Sequence, residues 1–465
     1  MKKRTRIIIL GVCIALFLIV SPCIVLYSMG YKIDFEKMEI MATGGIYIRT
    51  SPQASGVIID SKMSEKPKMF SDSVFVLDLI PKEHSILIKK EGYFDYQKTI
   101  EVKEKEVTKL ENIVLFKKNI NTDIISRGVE QFFFSADKKH ILTELSNTKS
   151  LDFEYFRVNS PNNKKIYSLA LKNTTVSDLI WSGNSDKVLA KTQNPNGVFY
   201  YLLDFSKETQ STAPVSFLNS SCSKISFNPQ NSEQIFYIKN NSLYSAKNNK
   251  AEILIKNLVS YKIENNNILW LSADGTLNRS DISGEITETL ISKENSLPAR
   301  QNCDIKIIGE KIFLMASDAL YEYDSETMKF KDFGIAIDNC NLLRSPDNKN
   351  MVYYNNSGIY LYTFINKAGK EVPDSENNVK IFSSNYPETI TDCYWFNNDY
   401  IIFQSGNKIT VSEIDYRGNI NQVQLPLNFE LSADSKNSQI FFNAEDNKVY
   451  VLNGNTLYSS EKLAQ

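Results

Sequence analysis

Apolar positions along this chain follow three different patterns. The first is continuous. Ile7–Met29 is a 23-residue stretch without a charge, preceded by Lys2, Lys3, Arg4 and Arg6. At ~1.5 Å per helical residue it covers ~34 Å, enough for a ~30 Å hydrocarbon core. This predicts a basic flank at 1–6, a transmembrane helix at 7–29 and a juxtamembrane linker at 30–43. The second pattern is short and alternating, from 44 to 117. The third repeats with a long period, from 119 to 465.

The cations ahead of the apolar stretch place the N-terminus in the cytoplasm and everything after Gly30 outside. The stretch exceeds the ~7–15 residues of a signal-peptide core, so a retained anchor is expected. Ser28-Met29-Gly30 supplies the small residues of the alternative, cleavage after Gly30. Pro22 predicts a kink. Cys13 and Cys23 follow Val12 and Pro22 rather than small residues, which reads as apolar packing and not a lipid-attachment site. Tyr27 and Tyr31 suit the outer interface.

Between 44 and 117 the strands read Gly45–Pro52, Val57–Asp60, Val74–Leu77, Ser85–Lys89, Tyr96–Val102 and Val107–Phe116. Six or seven short strands without a helical period predict a small antiparallel sandwich. Three blocks resemble the PEGA domain: Ser51-Pro52 with Ala54 and Val57-Ile58-Ile59-Asp60, then Leu79–Ile86, then Lys90-Glu91-Gly92-Tyr93. Gly92 would permit a tight turn, with Tyr93 and Tyr96 packing across the sheet. The sequence departs from that pattern at Ser61, where a turn glycine commonly stands, and at Lys82-Glu83, in place of Pro-Gly. The resemblance implies a module of surface and envelope proteins without catalytic residues of its own.

From 119 onward a turn motif recurs ahead of apolar strands. It reads Ser135-Ala136-Asp137, Ser345-Pro346-Asp347 and Ser432-Ala433-Asp434, with looser copies at Trp181–Asn184 and Phe227–Gln230. Ser and Asp side chains bind nearby backbone amides, which is turn chemistry. First-strand centres fall near Phe132, Leu179, Ile225, Ile263, Ile305, Leu342, Tyr394 and Phe429, about 42 residues apart. That is the period of a four-stranded propeller blade. The prediction is mainly β: a β-propeller of eight four-stranded blades, with seven as the alternative if Ile120–Ser126 closes the ring by joining the last blade. This part resembles WD-like, TolB-type propeller repeats, whose turn carries a glycine after the aspartate. Here Lys138, Asn348 and Ser435 stand in for it.

The charge is balanced, Lys+Arg 53 against Asp+Glu 54, which removes the electrostatic footprint of a nucleic-acid binder. His84 and His140 are the two histidines, too few for zinc or nucleophilic triads, and each reads as a surface strand or turn residue. No catalytic, cofactor-binding or metal-binding residues are assigned, and no cofactor is expected. Cys222, Cys303, Cys340 and Cys393 all fall at the start of first strands. Cys303, Cys340 and Cys393 are candidates for a channel-rim arc or a disulfide between neighbouring blades; the other reading is packing as small hydrophobes. Ser272–Thr276 reads as a two-residue hairpin turn at Asp274-Gly275, and Lys370–Asn378 as a polar loop.

Taken together, these features predict a single-pass, non-enzymatic binding or scaffold protein of the bacterial cell envelope. Its partners would be the membrane and an envelope protein or glycan presented to one propeller face. The alternative is a propeller enzyme acting on envelope or extracellular glycans, marked by two carboxylates ~5–10 Å apart in one pocket.

Overall fold

The computed structural model describes residues 3–28, 30–34, 39–63, 73–264, 266–295, 303–316, 319–333, 340–364, 378–384, 388–432 and 438–464. Ser435 and nearly all of the Lys370–Asn378 loop lie outside them. Lys3–Ser28 is one helix with Pro22 inside it. Its window Ile9–Leu26 has mean hydropathy 2.9, and none of it is buried in the molecule. A continuous run of apolar residues satisfies its own backbone as a helix.

Within the expected linker 30–43, Tyr31–Asp34 pairs antiparallel with Glu39–Ala42, the two arms of a hairpin. The pairing continues one residue beyond these strands. The Thr43 amide and hydroxyl both donate to the Gly30 carbonyl, at 2.7 Å each.

Gly44 to Val114 builds two sheets. Strands Ser73–Leu79, Gly44–Ser51 and Val107–Val114 make a three-stranded sheet; Lys62–Met63, Gly56–Ile59, Glu83–Lys89 and Tyr96–Glu101 make a four-stranded one. The alternation in the sequence turns Ile46, Ile48, Val57, Ile86, Ile88 and Leu110 into the gap between them. One pairing departs from the antiparallel expectation: Gly44–Ser51 and Val107–Val114 run parallel. Alternation reveals which face a residue takes, not which strand lies beside it. Gly92 adopts φ +79°, as the expected turn requires. His84 is buried rather than exposed: Nδ1 lies 2.6 Å from Asp60 Oδ2 and Nε2 2.7 Å from the Ile80 carbonyl.

Eight successive sheets follow among the described residues. They are numbered here as blades 1 to 8, from Val129–Leu169 round to Ser438–Ser460. Each neighbouring pair shares an apolar seam, and the seam between blades 8 and 1 (Tyr450, Leu452 and Leu457 against Val129, Phe132 and Ile141) closes the ring. The closing strand is Thr122–Arg127, which pairs with Thr456–Ser460 as the outer strand of blade 8. The N-terminal and C-terminal ends of the repeat region thus complete one sheet.

Two blades differ from expectation. Blade 2 has three strands, because Phe205–Cys222 replaces the fourth. That segment carries Pro214, which has no donor for a ladder, and it covers the blade with Leu218 and Cys222. In blade 8 the first strand is Ser438–Asn443, not a strand around Phe429. The Ser432 amide donates to Asn453 Oδ1, and Ala433 and Asp434 of this copy lie outside the described residues.

The motif works as turn chemistry where it is described. The Ser135 hydroxyl donates to Asp137 at 2.5 Å and accepts from the His140 amide, while Asp137 accepts from the Lys139 amide. Ser345 and Asp347 repeat the arrangement. The residue in the glycine position has a left-handed backbone in both, Lys138 at φ 57° and Asn348 at φ 64°. A residue with a Cβ pays ~1–2 kcal/mol there. Lys138→Gly is therefore expected to stabilise the chain by about 0.5–1 kcal/mol after glycine's entropy cost. Asn348→Gly should gain less, because Asn tolerates this region. Thermal unfolding of the two variants checks the order. Ser272–Thr276 uses the same hydroxyl and carboxylate bonds in a three-residue loop, longer than the expected two, closed by the Ser272 amide on the Thr276 carbonyl.

Candidate functional site

The most built region of the molecule lies between the sandwich and blades 7 and 8. The edge strand Tyr96–Glu101 meets the turn 414–421, which connects two strands of blade 7. An edge strand exposes unpaired backbone groups, and here two asparagines satisfy them. Asn421 Oδ1 accepts from the Gln97 amide, Asn419 Oδ1 accepts from the Thr99 amide, and Asn419 Nδ2 donates to the Gln97 carbonyl. Gly418 sits so close that a Cβ would come within 1.9 Å of the Thr99 carbonyl oxygen.

At the centre is a buried ion pair. The Lys98 side chain is 0% exposed and that of Glu413 is 4% exposed, with Nζ 2.6 Å from Oε1. The ammonium's other two protons go to the carbonyls of Asp415 and Asn419. Glu413 also accepts from Tyr96 O–H at 2.9 Å and from the Asn421 backbone and side-chain N–H groups. Burial, with Glu413 beside it, pushes the Tyr96 phenol well above its ordinary value, so it stays a donor. Around this pair, Arg417 forks onto Asp415 and donates to the Lys109 carbonyl, and Lys117 pairs with Glu461 at 2.5 Å. Phe116 packs edge-on against Phe396 and Tyr400 at 5.5 and 5.8 Å.

Beside this seat is an open cleft of about 450 Å³, within the size range of ligand sites. It is lined by Ser51, Asn112 and Val114 of the sandwich and by Phe396, Asn397, Asn398, Asp399, Ala444, Asn447 and Ala464 of the propeller. Asn112 Nδ2 donates to Asp399 Oδ2, Asn397 Oδ1 accepts from the Asp399 amide, and Asn447 Nδ2 donates to the Ala464 carbonyl. Each amide is thus oriented by one bond. Asn112 Oδ1, Asn397 Nδ2 and Asn447 Oδ1 have no further partner among the described residues. The lining offers both donors and acceptors beside apolar Val114, Phe396, Ala444 and Ala464, and Asp399 is its one carboxylate. More carboxylates gather in a separate void: Glu111, Asp399, Glu413 and Asp415 line a space of only about 10 Å³, room for about one water.

The cysteines named from the sequence are all buried and do not share a seam. Cys222 sits between blades 2 and 3, Cys303 between 4 and 5, Cys340 between 5 and 6, and Cys393 between 6 and 7. Burial, with Asp392 adjacent, pushes the Cys393 thiol far up. Near the start of the first strands a polar group does form. The Lys224 ammonium of blade 3 donates to Ser260 of blade 4 at 2.9 Å, and to the Cys303 carbonyl and Asp304 of blade 5 at 2.9 and 2.8 Å. Burial raises the Asp304 carboxyl, but the bonds from Lys224 and Lys306 outweigh it and hold the group below the usual carboxylate range. Two other carboxyls go the opposite way: burial pushes Glu144 up to about 7 and Asp392 to about 6.

Sequence reasoning missed the Asn-lined cleft and the Lys98–Glu413 pair. A lysine in an alternating strand whose neighbours on that face, Tyr96 and Ile100, are apolar was the one available signal.

Residues 43–117 match the PEGA domain family, so the chain contains a PEGA domain. No curated protein matches the chain. Among solved structures it is similar to β-propellers. Kluyveromyces lactis Hsv2 is 12% identical at TM-score 0.41, over 64% of this chain and 98% of that one. BamB from Moraxella catarrhalis is 10% identical at TM-score 0.42, over 73% and 96%. The Cps50 (Swd1) β-propeller domain of Myceliophteria thermophila is 9% identical at TM-score 0.37, over 73% and 99%.

Proposed function

We propose that this chain is a non-enzymatic, membrane-anchored binding and scaffold protein of the bacterial cell envelope, with its PEGA domain and propeller outside the membrane. The apolar N-terminal helix with four cations ahead of it supports that orientation. The observation that carries the reading is the seat between the domains. A fully hydrogen-bonded, buried ion pair and a capped strand edge fix the propeller rigidly to the module next to the helix. Such a connection suits presentation of a binding surface at a set position above a bilayer.

The Asn-lined cleft favours a neutral, hydroxyl-rich ligand, a segment of envelope glycan. Side-chain amides match the paired donors and acceptors of sugar hydroxyls, and the lining has no cation to select an anion. A peptide adding as a strand fits less well, because the Lys109 carbonyl and the Val114 amide on the neighbouring edge strand already bond Arg417 and Tyr400. Hydrolysis is the weaker reading: the grouped carboxylates border a void too small for a sugar ring.

The test is co-sedimentation of the detergent-solubilised full chain with insoluble envelope glycan. Binding is expected, reduced about tenfold by Asn397→Leu with Asn447→Leu, the loss of a few hydrogen bonds. A chain that stays in the supernatant sinks the glycan assignment. Release of soluble sugar by the wild type would replace it with the enzymatic reading.

A further inference from the structure

The outer face of the PEGA domain's three-stranded sheet changes polarity along its length. Register sets the rows. Gly45 lies across from Val107, with the Leu77 side chain over its other side; Tyr47 lies between Phe75 and Lys109; Arg49 pairs with Ser73. The first row is apolar and open to solvent, Leu77 at 56% and Val107 at 43% exposure. The second is amphipathic, with exposed Phe75 edge-on to Tyr47 at 6.4 Å and a lysine beside them. The last row carries the charge of Arg49. Two residues of strand separate each row from the next, ~7 Å.

The apolar row is the one nearest the membrane helix. Thr43, one residue before this strand, bonds the carbonyl of Gly30, two residues past Ser28, the last helical residue. Lys32 Nζ of the following hairpin donates to the carbonyl of Asp78, next to Leu77, at 2.7 Å. Lys105 Nζ sits 5.7 Å from the centre of the Tyr31 ring. The hairpin itself exposes Ile40 at 58%. On this face hydrophobic side chains lie toward the hairpin, flanked by Lys32 and Lys105, then come aromatic rings and a lysine, then charge: this is the order in which a membrane interface changes from acyl chain to water.

We propose that this sheet face, with Ile40, rests in the lipid surface from which the helix emerges, so that the PEGA domain is a plate seated on the bilayer. Side chains that would be an exposed apolar patch in water then contact the acyl boundary, and the bonds of Lys32 and Thr43 hold this end of the sheet against the hairpin that follows the helix. The inference rests on the reading that the helix spans the membrane.

The test reconstitutes the full chain into phosphatidylcholine vesicles with and without brominated acyl chains. Tryptophan is placed by Leu77→Trp, Val107→Trp or Ile40→Trp, and for comparison by Arg49→Trp or Glu111→Trp. The native Trp181, Trp270 and Trp395 all lie in the propeller and supply the background. Emission added by the first three variants is expected to fall by about half or more in brominated vesicles, and that of the last two to change little. Equal, weak quenching at all five positions, with the protein still floating with the vesicles, overturns the plate. So does disulfide capture of a second copy at a cysteine placed on Leu77 without quenching. A full chain that does not float at all would instead remove the anchor reading.

Discussion

Lys98→Met should cost about 3–5 kcal/mol, the usual penalty for leaving a buried charge without its partner. Lys98 is the cation paired with Glu413, which sits among Tyr96, Tyr400 and Asn421 with 4% of its side chain exposed. The double variant Lys98→Met/Glu413→Met removes both charges and keeps the volume. It is expected to recover most of the loss, since apolar replacement of a whole buried pair is often neutral or stabilising. Denaturant unfolding of the four members of the cycle gives the coupling energy. A coupling below about 1 kcal/mol, the range of exposed pairs, would show that the seat is hydrated and the domains hinge. Limited proteolysis near 117–122 should report the same change as cleavage in the single variant.

The second large effect is a pH dependence at Glu144. Its carboxyl goes from an ordinary 4.5 in the unfolded chain to about 7 in the fold. Burial is the main cause, opposed by N–H bonds from Val176 and Gln131. Between those values the folded chain binds more protons than the unfolded one, so stability falls as pH rises from 4.5 to 7. Its contribution is complete below 4.5 and gone above 7. At 1.36 kcal/mol per unit the shift amounts to about 3 kcal/mol as an upper bound. Asp392, raised from 3.8 to about 6, acts in the same direction over a lower window. Asp304, Asp137 and Asp204 are lowered and act oppositely, losing their contribution as pH falls through their folded values. Glu144→Gln should therefore flatten the decline between pH 5 and 7, read as Tm against pH relative to wild type. An unchanged slope would show that water reaches this carboxyl in solution.

Much of the architecture is written locally. Ile7–Met29 has too long an apolar run to be anything but a buried or lipid-facing helix. The Ser-x-Asp turns specify their own geometry with side-chain atoms two to five residues apart, so Ser135 and Ser345 could be read in isolation. Gly92 announced its left-handed turn because few other residues adopt it freely. The last copy of the motif misled for the same reason. The Ser432 amide bonds Asn453, 21 residues on, and a short-range signal cannot say which strand of which blade follows it.

The candidate site was not legible, because its parts are far apart in the chain. Asn112 and Asp399 are separated by 287 residues and Lys98 and Glu413 by 315. None carries a motif. The spread of Cys303, Cys340 and Cys393 over three seams follows from ring geometry, where one residue per blade at the same position is held apart by the blade spacing.

Sequence alone determined the helix, the two β-rich regions and their repeat, because hydrophobic period and turn chemistry act over a few residues. Tertiary structure decided that Gly44–Ser51 runs parallel to Val107–Val114, that the closing strand, foreseen only for a seven-blade ring, completes an eighth sheet as Thr122–Arg127, and that a buried lysine joins two domains. Those outcomes depend on which distant surfaces remove the most apolar area from water while leaving each buried polar group with a partner.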